Sequence, residues 1–524
     1  MKHILCVFFA VLTFSHLYGG NLQWSSPATT LSATGLNATN PQVAIDASGN
    51  ASAVWVENNL IKASTKSVSG SWTSEVTISA TGASSPYLVA DHSGNLTAIW
   101  IASTGVITAA TKPSSGTWSS TTALSSAGAS SPTLCVDSAG DVVAAWVRSG
   151  NVETSTKLFG MSWQTRVTIT STAAATPVVA VGSSGSNTRA TIVWQGTSSG
   201  TNVVYSSTKL ISGSWSTPQI ISETTHNAAQ PYAAVDANGN IIAVWFSYDI
   251  TGLSYTNVVV KTAERLSSTG TWGSVSALSQ PGIRNPATLV ARVGFDSIGN
   301  AIALWNISFD DETFVLESAV KPLNEIWGDT VDLIDSNLYA YSANLSVTTY
   351  GDVLGLYMFY NGASLLIQSV ESDINDFLNN TWSVPITISF GTENAFPQIA
   401  AALVGNQIYT AAVWTDYNGV NNTVVASTGS KSLVLPPSSL HVTQSVNNFG
   451  VFNEYYNTLT WTASSDPNVV GYLIFRNGAF VTQVGSGVLE FIDDNRALNG
   501  SITYSVTAVD AQQTQSTTVS VSFP

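Results

Sequence analysis

Charge is what this sequence has least of. Only 9% of its 524 residues are Asp, Glu, Lys or Arg, against roughly a quarter in an ordinary soluble domain. Lys and Glu, which build exposed helices, are scarce, while Ser, Thr, Val and Asn abound, and this excludes a helix-rich fold. Disorder is excluded as well, because 44% of the residues are hydrophobic and such a chain can bury a core. The 17 basic residues face 32 acidic ones, for a net charge of −15. A surface of that sign repels phosphate backbones, so no nucleic-acid partner is expected.

Cysteine and histidine are nearly missing. Of two cysteines, Cys6 lies in an N-terminal apolar run, and Cys135 reads as a small buried apolar residue with no disulfide partner. Beyond residues 1–20 the histidines are His92, His226 and His441, without the spacing of a metal site. No Gly-Lys-Ser/Thr phosphate loop occurs. Neither a metal nor a cofactor is expected. Long apolar runs are also lacking. Ile4–Phe14, preceded by Lys2 and His3 and followed by Ser15–Gly20, is shorter than the roughly 20 residues of a membrane span. Residues 1–20 therefore read as a secretory signal, and no membrane span is expected. The expected location is secreted, cell-surface or periplasmic.

What the sequence does contain is a repeat. The string Asp46-Ala-Ser-Gly-Asn-Ala-Ser-Ala-Val-Trp55 returns as Asp91–Trp100, Asp137–Trp146, Asp236–Trp245 and Asp296–Trp305, with weaker copies ending at Trp194, Phe359 and Trp414. A proline opens most copies: Pro41, Pro86, Pro132, Pro177, Pro231, Pro286 and Pro397. A second series (Trp24, Trp72, Trp118, Trp163, Trp215, Trp272, Trp327, Trp382) alternates with the first, and Trp461 alone stands outside both.

Each unit holds four short apolar runs, in the first case Gln42–Asp46, Ser52–Val56, Leu60–Thr65 and Trp72–Ser79. Period and strand content are those of propeller blades. The chain is thus expected to be all-β: an eight-bladed β-propeller over residues 21–432, a linker at 433–437, and a separate domain over 438–524. Residues 41–432 contain only seven outer strands, so Trp24–Leu31 is expected to lie beside Val424–Thr428 and close the ring. A cation recurs after the third strand, at Lys66, Lys112, Lys157, Lys209, Arg265 and Lys321, and reads as a solvated charge guarding each rim. The Asp-x-x-Gly-Asn turns read as structural turns in preference to calcium sites.

Two resemblances follow. Thr65-Lys-Ser-Val-Ser-Gly-Ser-Trp72 and Thr111-Lys-Pro-Ser-Ser-Gly-Thr-Trp118, with the Trp-Ser-x-Pro runs at Trp215 and Trp382, resemble the Asp-box hairpin of sialidase-like propellers. Leu459-Thr-Trp461, Asp466–Tyr472, Ile474–Gly478 and Tyr504–Asp510 make 438–524 similar to a fibronectin type III domain, in which Trp461 and Tyr472 would pack between two sheets and Tyr504 would pin a corner. The sialidase resemblance implies three substrate-binding arginines. The propeller's are Arg148, Arg166, Arg189, Arg265, Arg284 and Arg292, none in the first two repeats, where that family's Arg-Ile-Pro motif would fall.

Binding is therefore expected ahead of catalysis. The loops enlarge late in the chain and gather aromatic and acidic residues: Tyr248, Asp249 and Tyr255; Phe309, Asp310, Asp311 and Glu312; Asp416 and Tyr417. His226 and Arg284 belong to the same end of the repeat. Aromatic faces with carboxylates are equipment for sugars or partner loops. The expected protein is an exported, monomeric adhesion-type binder of a glycan or protein surface. The alternatives are a glycoside hydrolase or lyase using Asp249, Asp310, Asp311 or Glu312, and a structural envelope component.

Overall fold

The computed structural model describes residues 22–182, 188–310, 313–334, 339–372, 380–497, 501–511 and 513–523. The expected leader and the candidates Asp311 and Glu312 lie outside them. The described residues are almost wholly β, with one short 3-10 turn at Pro286–Thr288 and no helix long and apolar enough to cross a membrane. They fall into two compact units, Leu22–Ser430 and Lys431–Pro524.

Eight successive sheets make up the first unit, each an antiparallel run of consecutive strands. The first comprises Ala38–Ile45, Ala51–Glu57, Leu60–Lys66 and Val76–Thr77. Its second strand is buried on nearly every residue, which a strand achieves only with neighbours on both faces. The burial centres on Trp55. Its counterparts Trp100, Trp146, Trp194, Trp245, Trp305 and Trp414 are likewise almost wholly buried. In the seventh sheet that slot is filled by Tyr357 and not by Phe359, which is only half-buried; counted from the preceding turn, Tyr357 has the register of the tryptophans. The outer tryptophans are half-buried, and the strands after them are shorter than expected, only Val76–Thr77 in the first sheet.

The turn joining first and second strands is held by its aspartate. Asp46 Oδ1 accepts from Ser48 N and Asn50 N at 2.9 Å, and Oδ2 from Asn50 Nδ2 at 2.9 Å. Asn50 Oδ1 in turn accepts from Val68 N on the next hairpin at 3.1 Å. Gly49 sits at φ +80°, open to glycine at little cost. The Asp91, Asp236 and Asp296 turns repeat the arrangement, so these carboxylates are engaged with their own turns.

The prolines do not open the strands. Pro41, Pro86, Pro132, Pro177, Pro231 and Pro397 each sit inside a first strand at a β-bulge, after a residue of positive φ such as Asn40, Ser85 or Gln230. A bulge is one of the places in a sheet that tolerates a residue without an N–H. The sixth sheet differs: Pro286 begins the 3-10 turn, and its strand starts at Ala291.

First strands of successive sheets touch in order, and that of the eighth touches that of the first. The eighth sheet is completed from the other end of the unit: Gln23 and Trp24 pair with Ser430 and Gly429, and Thr29 and Thr30 with Ala426 and Val425. The recurrent cations are not a solvated rim throughout. Lys209, Arg265 and Lys321 are buried. Lys209 donates to Thr156 of the preceding sheet at 2.7 Å, and Lys321 pairs with Glu264 of the preceding sheet at 3.3 Å. The close neighbouring sheet covers the side chain and turns a rim charge into a clamp.

The second unit has a three-stranded and a four-stranded sheet. Leu459, Trp461, Tyr472, Ile474, Tyr504 and Val506 form its core, and Val434 belongs to the same cluster. Trp461 and Tyr472 meet edge to face at 5.6 Å. Tyr504 donates to Asp493 and accepts from Asn457 at 3.0 Å, and burial together with Asp493 pushes its phenol up to about 12.

Candidate functional site

Second strands end, and first strands begin, at the same end of every sheet, because the strands alternate in direction. The enlarged hairpins of the fifth, sixth and eighth sheets project there. At the fifth, strands Ile241–Thr251 and Ser254–Arg265 run on well past the length of their early counterparts.

A cleft of about 760 Å³ opens at this end, lined among others by Tyr255, Ile283, Arg284, Asn285, Phe314 and Tyr341. These come from the fifth sheet, from the connection between fifth and sixth, and from the sixth and seventh sheets. The connection is held on both sides: Gly282 exchanges backbone hydrogen bonds with Val258, and Ile283 N donates to Ser308 O at 3.0 Å. A Cβ on Gly282 would stand 2.5 Å from Ser308 O, so only glycine allows this approach. Arg284 is thereby set over the Phe314 ring, with its guanidinium carbon 5.4 Å from the ring centre. Its buried Nε has no hydrogen-bond partner among the described residues.

An aromatic ladder continues from there. Phe314 and Tyr341 lie 4.7 Å apart, Tyr341 and Tyr339 6.3 Å, and Tyr339 and Tyr360 5.7 Å. Ala340 N donates to Phe314 O at 3.0 Å, tying the sixth and seventh sheets together at this point. Burial first, and then Tyr339, push the Tyr341 phenol up, against the opposing pull of Arg284. A guanidinium over an aromatic face keeps its in-plane donors available to an acceptor. Flat faces beside it suit the apolar face of a sugar ring.

Of the candidates read from the sequence, Tyr255 and Arg284 line this cleft. Tyr248 packs behind Tyr255 at 5.6 Å and accepts from Asn202 Nδ2 at 3.2 Å. Asp249 and His226 form a separate pair, 2.7 Å between Oδ1 and Nδ1, while Asn257 donates to Asp249 Oδ2 at 2.9 Å. The Asn257 bond and then His226 hold the Asp249 carboxyl below its usual range. Asp310 accepts from Thr313 N at 2.6 Å and Oγ1 at 2.9 Å, closing its own turn, and Phe309 is exposed. Asp416 and Tyr417 belong to the eighth sheet and are not among the cleft's lining. Burial alone pushes the Asp416 carboxyl up.

Phe314 and Tyr341 escaped the sequence reading. The available signal was the seventh repeat, where Tyr339-Ala-Tyr341 stands in place of the usual run before the proline.

No protein-family model matches the chain, and no curated protein matches it. Solved structures that it is similar to include the BP39L lectin from Burkholderia pseudomallei, at 16% identity and TM-score 0.48 over 69% of this chain and all of that one. An ulvan lyase of a polysaccharide lyase family, bound to -[GlcA(1-4)Rha3S]-, aligns over 76% of this chain and 95% of its own at 10% identity and TM-score 0.44. A lectin from Aleuria aurantia in complex with Fucα1-6GlcNAc aligns over 57% and 94% at 12% identity and TM-score 0.34. These likenesses are loose, and the site is read from its own side chains.

Proposed function

We propose that the protein is an exported carbohydrate-binding protein, built as an eight-bladed β-propeller clasped by its N-terminal strands and followed by a fibronectin type III-like domain acting as a spacer. The glycan binds in the cleft of the fifth to seventh blades. One observation carries this reading: the Arg284 guanidinium lies over Phe314 in a cleft that Tyr341 and Tyr255 also line. Sugar rings stack on the tyrosine and phenylalanine faces, and the guanidinium donates to ring substituents. The described lining offers stacking faces and donors, the equipment of a binding site. The proposed protein is a monomer, directed out of the cytoplasm by the secretory signal at residues 1–20, and takes no cofactor.

A glycan array with the full secreted chain tests the proposal. The native protein should retain at least one glycan class, and Tyr341→Ser or Arg284→Met should weaken that binding about tenfold or more. Retention unchanged in both variants, or release of free sugar from the bound glycan, overturns the reading.

A further inference from the structure

One position recurs in the first strands, directly after the bulge where there is one and four residues before the turn aspartate where there is one; in the first strand of the sixth sheet, which has no bulge, the spacing from Asp296 gives it. In the second sheet it is Tyr87, in the fifth Tyr232 and in the sixth Arg292. The equivalent residues of the seventh and eighth sheets, Asn344 and Gln398, hydrogen-bond to each other at 3.0 Å, Asn344 Nδ2 donating. This layer lies one step below the bulges, at the end of the ring that carries the cleft.

Arg292 reaches over the ring of Tyr232, with its guanidinium carbon 4.7 Å from the ring centre. Tyr87 belongs to the sheet four places away in a cycle of eight, the opposite side of the axis. Even so, Tyr87 and Arg292 influence each other's ionisation. Arg292 and Tyr232 are thus in contact, with Tyr87 across the axis near enough to be felt electrostatically. Burial pushes the guanidinium down and both phenols up. All three are nonetheless only half-buried by surface exposure, so the group is not sealed from solvent.

The arrangement lacks a counter-charge. Among the described residues no carboxylate pairs with Arg292. Its protein partners there are the Tyr232 ring and the carbonyl of Ala291, to which Nη1 donates at 3.0 Å. A guanidinium withdrawn from bulk water without an anion is costly. Phenol hydroxyls and carboxamides can add donors around the same opening.

We infer that the ring axis is a second binding site, independent of the cleft, in which Arg292, flanked by Tyr232, Tyr87 and the Asn344–Gln398 pair, holds a small oxyanion of the carboxylate or sulfate type. The oxyanion has two sources, a free ion or the acid group of a sugar.

The test uses the full secreted chain and its Arg292→Met variant, with calorimetry and thermal melts in sodium acetate, sodium sulfate and sodium glucuronate at ionic strength matched with sodium chloride. The native protein should bind at least one anion and melt higher with it, and Arg292→Met should lose at least about tenfold in affinity. Sulfate's general stabilising effect is common to both proteins, so their difference isolates the site. Without anion, Arg292→Met should melt no lower than the native protein, since it removes an uncompensated charge; a purely structural arginine would show the reverse. Arg292→Lys, which keeps the charge but not the planar fork, should fall between. Response to acetate or sulfate identifies a free ion as sufficient, and response to glucuronate alone identifies a sugar acid. No response in the native protein, or an equal response in Arg292→Met, overturns the inference.

Discussion

The third and sixth sheets contain the same buried pair and treat it differently. In the third, Trp146 Nε1 donates to Glu153 at 2.8 Å, and Arg148 and Arg166 approach that carboxylate at 3.1 and 3.7 Å. In the sixth, Trp305 Nε1 donates to Glu317 at 2.6 Å. The positions equivalent to the two arginines are there Ile307 and Thr330, counted from the two tryptophans. Burial consequently pushes the Glu317 carboxyl up to about 7, even against the indole bond. The difference teaches that the repeat conserves a packing unit, while the charges around it were assigned sheet by sheet. The sixth sheet gives up compensation at this carboxylate, and beside it lie the long fifth hairpin and an open cleft.

Removing what the two sheets share should have the largest effect. Trp146→Ala and Trp305→Ala should each cost about 3–5 kcal/mol in denaturant melts, because both indoles are fully buried; markedly unequal losses would break the equivalence. Removing the charge should separate the sheets in sign. Glu317 keeps its proton in the folded protein to about pH 7, whereas the unfolded chain sheds it near 4.5, so its contribution to stability falls as pH rises through that window. Glu317→Gln should flatten this dependence and stabilise the protein at pH 8 by up to about 3 kcal/mol. Glu153→Gln should instead lose about 1–3 kcal/mol at the same pH, since it strands two arginines. Thermal melts across pH 4–8 report both. The smallest effect belongs to the late loops: Phe309→Ser, at an exposed tip, should stay within about 0.5 kcal/mol of the native protein.

Much of the ring was legible because repetition exposes it. The Asp turns and the buried tryptophans recur at fixed spacing, and a missing outer strand implies where the N-terminal segment must pair. The bulges were not legible, since proline in a strand reads as a boundary unless the residue before it is known to adopt positive φ. The burial of Lys209 and Lys321 was hidden because it depends on a neighbouring sheet some 50 residues away in sequence (Thr156 is 53 positions from Lys209). For the site, Tyr255 and Arg284 were readable from loop enlargement. Phe314 and Tyr341 come from later strands, and only folding brings them beside the other two.

The pairing of Gln23–Trp24 and Thr29–Thr30 with the last sheet sets an order of events during synthesis. Ser25 and its partner Thr428 are 403 positions apart. At about 5–20 residues per second, the first half of the clasp leaves the ribosome on the order of 20–80 s before the second exists. Through that interval the N-terminal strands lack the eighth sheet they are to complete, and the growing array is an open arc with bare edges at both ends. In a chain so poor in charge, those edges have little electrostatic protection from pairing with another copy. The last strand to emerge thus converts an aggregation-prone intermediate into a ring, and a chain cut short before Asn422 would keep that intermediate for its whole lifetime.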